Sequence, residues 1–146
     1  MMTTRPTRRL RKGKGRGMQT IKLVLKLLMA AFYVFAGVNH FLDPAFYLNI
    51  MPPYIPAHGA AVALSGVAEL LLGAALLWPR SQRLAAWGIV AILIAFLPVH
   101  VHMLANSQLY PETSVLALWL RFPMQGALVA WAYWYTRGVD GATAST

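Results

Sequence analysis

Four long apolar runs constrain this chain more than any other feature. They cover residues 21–42, 58–78, 84–104 and 115–135. Each is long enough to cross the hydrocarbon core of a bilayer, which takes about 20 helical residues. Lipid offers nothing to an unpaired backbone N–H or C=O, so such runs are obliged to be helices. The alternating pattern of membrane barrel strands is absent. The expected fold is therefore all-α: a polytopic membrane protein built as a four-helix transmembrane bundle. Composition points the same way, with 58% of the 146 residues hydrophobic and only 12% charged. A soluble domain is roughly 45–50% apolar with about a quarter of its residues charged. No cysteine is present, which excludes disulfides, thiolate metal sites, cysteine-ligated iron–sulfur clusters and thiol catalysis.

The net charge of +9 is concentrated at one end, with seven of the thirteen Lys and Arg residues before Met18. Residues 1–20 read as a basic, disordered cytoplasmic tail, or in part as a stretch preceding a true start at Met18. Residues 138–146 read as a disordered C-terminal tail, leaving 21–137 as a single membrane domain. Lys22, Lys26, Arg80, Arg83 and Arg137 flank the spans on one side, and residues 43–57 and 105–114 contain no Lys or Arg. The positive-inside rule then puts both termini in the cytoplasm. Trp78, Trp87, Trp131, Tyr133, Trp134 and Tyr135 are expected at the inner interface, and Tyr47, Tyr54 and Tyr110 at the outer one. Aromatic rings in those belts have no surface to spare for stacking bases, so nucleic acid is not an expected partner. The lipid bilayer is.

Between the first two spans the sequence reads "LDPAFYLNIMPPYIP". Pro44 disfavours helical geometry at Asp43 and stops the first span near Leu42. Asp43 can then cap a short interfacial helix with Pro44 at its first position. Pro52 and Pro53 end it, so the segment is expected to lie as a lid over the outer end of the bundle. The short turn between Trp78 and Arg83 makes the second and third spans antiparallel neighbours. Ala36, Gly37, Ala61, Ser65, Gly66 and Gly73 are the small residues expected where helices approach closely.

Ionisable groups within a bilayer are costly and mark candidate sites. Glu69 lies midway along the second span with Ser65 on the same face, and Arg121 lies in the fourth with Gln125 on the same face. The two stripes are expected to meet as a Glu69–Arg121 ion pair. Such a pair could serve only to fix helix register. Alternatively it lines a polar pocket open to the outer side, where Arg121 offers a fork to an anion or a quinone oxygen and Glu69 carries a proton. Asn39, His40, Asp43, His100, His102 and Asn106 share a similar depth and are expected to contribute to one cavity, with Pro98 kinking the third span beside it. No metal site is expected. His40 and His100 are the only candidates for metal or haem ligation, and no tight ligand spacing such as HExxH supports them.

"AGVNHFLDPAFY", "SGVAELLLGAALL" and "RLAAWGIVAILIA" together resemble the DoxX-like family of small bacterial membrane proteins. The likeness rests on Gly37, His40 and Pro44, and on Glu69 followed by Gly73, and it extends over residues 18–135. The resemblance implies four helices in the bacterial inner membrane and a link to redox work. Many members carry Lys where this chain has His40, and this chain has no cysteine, so sulfur chemistry is not carried over. The functional expectation is an accessory or ligand-binding subunit, with a quinone-like or other small molecule in the polar cavity or a partner protein in a membrane redox complex. The alternatives are an oxidoreductase or proton or electron carrier in its own right, and a purely structural scaffold.

Overall fold

The computed structural model describes residues 7–137. It contains α1 (Thr7–Leu42), α2 (Pro44–Asn49), α3 (His58–Leu76), α4 (Gln82–Ala105) and α5 (Val115–Thr136), with a 3-10 turn at Ser107–Leu109 and no strand among the described residues. Four of the helices are long and apolar enough to cross a membrane, over Gly17–Leu42, His58–Leu76, Gln82–Ala105 and Val115–Thr136. The chain is thus an all-α, multi-pass membrane protein. Its outer surface suits that solvent: Phe35, Leu64, Leu84 and Leu116 point outward, each at least 68% exposed. In water such a surface would drive association, whereas in lipid it costs nothing.

The first helix begins earlier than the sequence suggested. Residues 7–20 were expected to be a disordered tail, but α1 runs unbroken from Thr7. The span supplies the helix nucleus, and Arg8, Arg9, Arg11, Lys12 and Lys14 are good helix formers that favour its extension against the cost of Gly13, Gly15 and Gly17. Residues 1–6 and 138–146, also expected as tails, lie outside the described residues.

Packing is pairwise: α1 packs chiefly on α3 and α4 chiefly on α5, while α3 and α4 join the two pairs. The α1–α3 seam has a heptad rhythm. On α3 the buried residues are Val62, Gly66, Glu69, Gly73 and Leu76. On α1 the buried residues Ala30, Tyr33, Gly37 and His40, with Met29 beside them, answer in the same rhythm. Steps of four and three residues keep one stripe facing its partner, the geometry of an antiparallel coiled coil. Glycine makes the approach close. A Cβ on Gly37 would stand 2.7 Å from the Gly66 carbonyl oxygen, and one on Gly66 would stand 2.6 Å from the Cβ of His40. The apolar core gathers all four spans near the end that carries the termini, around Met29, Leu76, Ala86, Ile89 and Ala132. There the Tyr135 hydroxyl donates to the Lys22 carbonyl at 2.9 Å, tying α5 to α1.

At the opposite end α2 forms as its sequence demands. The Asp43 carboxylate accepts from the Phe46 N–H at 3.2 Å, and Pro44 occupies the first turn. The following loop is pinned from two sides. His58 Nε2 donates to the Pro52 carbonyl at 3.0 Å, and the Tyr54 hydroxyl donates to the Pro98 carbonyl at 3.3 Å. Ala57 then enters α3 with φ of 52°, in the left-handed region.

Three outcomes are expected in thermal unfolding followed by circular dichroism in detergent. Gly37→Ala should cost about 1–3 kcal/mol, because the added methyl meets backbone that cannot yield. Gly126→Ala should cost nothing, since a Cβ there has no neighbour within 4 Å. Ala57→Gly should instead raise stability by up to about 1 kcal/mol, by relieving the left-handed conformation.

Candidate functional site

The heptad seam between α1 and α3 carries His40 to Glu69, and both side chains are almost fully buried, at 5% and 4% exposure. His40 Nδ1 lies 3.0 Å from the Val62 carbonyl oxygen and 3.2 Å from Ser65 Oγ, while the Ser65 hydroxyl donates to that same carbonyl at 2.9 Å. A carbonyl can only accept, so Nδ1 carries the proton, and the Ser65 oxygen is left free to accept from it as well. Nε2 therefore faces Glu69 Oε2, 3.4 Å away, with one proton to share between them. Imidazolium with carboxylate, or imidazole with carboxylic acid, are both neutral as pairs. Neutrality is what permits a carboxyl group to sit in hydrocarbon.

The pair is nevertheless loosely closed. A charge-assisted hydrogen bond spans about 2.7–2.9 Å, and Glu69 Oε2 at 3.4 Å makes an ion-pair contact without a hydrogen bond. One turn further along the seam, Tyr33 lies within electrostatic range of Glu69, and its buried hydroxyl also has no hydrogen-bond partner. Two buried oxygens without partners in one seam are unusual, because native interiors satisfy nearly all such groups.

The short helix α2 covers the other side of His40. The Tyr47 ring stacks on the imidazole with centroids 3.6 Å apart and planes tilted by 21°. Asn39 Nδ2 donates to the Tyr47 hydroxyl at 3.1 Å. A phenol is thus held by a flat face and an amide donor. Sequence reading had assigned Tyr47 to the interfacial belt and had not singled out Tyr33. Tyr33 could have been found, since it precedes His40 by seven residues and so shares its face.

The expected single cavity is in fact two separate groups. Asn39, His40, Ser65 and Glu69 belong to the α1–α3 seam, while His100, Arg121 and Gln125 belong to the α4–α5 seam. The expected Glu69–Arg121 ion pair does not form. Glu69 faces α1 and pairs with His40, whereas α5 packs chiefly on α4, so the pairing of helices separates the two side chains. Arg121 Nη1 instead donates to Met103 Sδ at 3.4 Å. Gln125 Nε2 donates to the Leu93 carbonyl, next to the Ile94 carbonyl that Pro98 leaves without its helical donor.

The remaining histidines also separate. His100 approaches the Phe122 ring, whereas His102 lies between Tyr54 and Tyr110 and meets Asn106 Nδ2 at 3.3 Å. Asp43 is occupied in capping α2. Among the described residues no three His, Asp or Glu side chains gather closely enough to hold a metal ion. The belt residues divide in the same manner. Trp78 and Trp87 are exposed as expected, but Tyr135 is buried in the core, and Tyr47, Tyr54 and Tyr110 all contact histidines.

No curated protein and no solved structure matches the chain. One family does, over residues 29–136, a segment that contains every candidate residue of both seams. The chain belongs to the family described as a domain of unknown function, DUF8561.

Proposed function

We propose that this protein is an accessory, ligand-binding subunit of the bacterial inner membrane, with both termini cytoplasmic, that takes a quinone-like ring at His40. Its orientation follows from Lys22, Lys26, Arg80, Arg83 and Arg137 at one end of the bundle and from the lack of Lys and Arg in residues 43–57 and 105–114. Bacterial origin and the link to redox work rest on the resemblance to DoxX-like proteins. The observation that carries the binding reading is the Tyr47 phenol on His40. An imidazole face and the Asn39 amide donor are the features that would hold a quinol or quinone head, which resembles that phenol in shape and in its ring oxygens. The helix bearing Tyr47 has only six residues, so displacing it disturbs little of the fold. Glu69 Oε2 and the Tyr33 hydroxyl supply polar atoms deeper in the seam.

A carrier working in its own right is less well supported. The polar file along the seam, from His40 through Glu69 to Tyr33, meets the apolar cluster of Met29, Ala30, Leu76 and Ile89. A proton path across the bilayer would have to pass that plug.

Native mass spectrometry of the gently extracted protein, incubated with ubiquinone or menaquinone, tests the binding reading. Wild type should retain one quinone, Tyr47→Ala should retain it more strongly, and Asn39→Leu and the paired change His40→Leu with Glu69→Leu should lose it while remaining folded. Equal retention by all four proteins, or none by any, would sink this reading in favour of a scaffold. Stability measurements separate the structural part of the pair. His40→Leu alone should cost about 3–5 kcal/mol by leaving Glu69 buried and unpaired, and adding Glu69→Leu should recover most of that loss.

A further inference from the structure

Arg121 stands out because no carboxylate among the described residues answers it. The chain has four acidic residues, Asp43, Glu69, Glu112 and Asp140. Asp43 caps α2 and Glu69 faces His40. Glu112 forms no ion pair, and the His40–Glu69 contact is the only one among the described residues. Asp140 lies outside the described residues. The contact found for the guanidinium is the thioether of Met103, a weak acceptor for a group with five N–H donors. A charge so placed in a membrane span calls for a partner.

Position and neighbours indicate what that partner is. Arg121 lies six residues past Val115, about 9 Å below the start of α5. Side chains lean toward the N-terminus of their helix, and a long Arg stem can lift its head further toward the interface. His100 lies at a matching depth, five residues before the end of α4 at Ala105; its ring meets that of Phe122, the residue next to Arg121, with centroids 6.4 Å apart, within electrostatic range of the guanidinium. Its Nδ1 is buried without a hydrogen-bond partner. A planar cationic fork and an imidazole nitrogen therefore stand together in one seam, near headgroup depth, with Arg121 half-exposed. Guanidinium matches a phosphate oxyanion in two parallel hydrogen bonds, and His100 can add a third from a ring N–H.

We infer that the α4–α5 seam is a binding site for a phosphate-type anion, held by Arg121 with His100. The site is separate from the His40 seam and does not depend on what binds there. The phosphate can come from the headgroup of an anionic phospholipid or from free phosphate, and the two sources are separable.

The test uses the full chain in a neutral detergent, titrated with phosphatidylglycerol or phosphatidylcholine and followed by native mass spectrometry. A parallel series measures thermal stabilisation by inorganic phosphate without lipid. Wild type should bind one phosphatidylglycerol in preference to phosphatidylcholine. Arg121→Gln should weaken that binding by about tenfold, the loss of a charge-assisted contact. His100→Ala should weaken it less, and Arg137→Gln, at the opposite end of α5, should leave it unchanged. If Arg121→Gln fails to fold, Arg121→Lys serves in its place, with the charge retained, the fork lost and binding reduced. Stabilisation by inorganic phosphate that depends on Arg121 identifies a free anion as the source. Phosphatidylglycerol binding without that stabilisation identifies the lipid. Either result supports the site. Equal binding of the two lipids with no effect of phosphate, or binding unaltered by changes at both Arg121 and His100, would overturn it.

Discussion

The close contact of α1 with α3 is the constraint on which the rest of the molecule depends. Helices in lipid gain little from apolar burial against each other, because lipid tails are as apolar as leucine. Gly37 and Gly66 remove the side chains that would hold the two backbones apart, so dispersion and polar contacts act at short range. His40 and Glu69 are one consequence. Neither could remain alone in hydrocarbon, and the seam brings them together as a neutral pair whose outer nitrogen is fixed by the Val62 carbonyl.

A second consequence is that α5 is left to pair with α4. The polar residues of the fourth span are thereby cut off from those of the second. Two seams, each with its own buried polar group, replace the single cavity that similar depth alone had implied. Pro98 is shared by both neighbourhoods, since its carbonyl takes the Tyr54 hydroxyl while Gln125 donates nearby at Leu93.

Much of this was legible in the sequence, and the part that was not has a definite physical origin. Span length and hydropathy located the four helices, and Asp43–Pro44 located the short one, because these signals act within a few residues. Which polar residue meets which depends on the order in which helices pack, and apolar spans carry little information about that. Glu69 and Arg121 matched in charge and depth, yet neighbouring positions decided otherwise: the glycines of α3 share Glu69's face and turn it to α1. Tyr47 was read as an interfacial anchor because its contact with His40 depends on how α2 folds back, which no local pattern records.

The heptad rhythm of α1 makes the His40 site a matter of phase as much as of composition. Each residue added to a helix turns everything beyond it by about 100°. A single insertion between Tyr33 and His40 would swing the imidazole out of the seam toward lipid, stranding Glu69, even though every side chain of the site remained in the sequence. The same insertion after Leu42 would fall in the connection and leave the pair in register. The spacing from Tyr33 through Gly37 to His40 is thus as much a part of the site as the residues themselves.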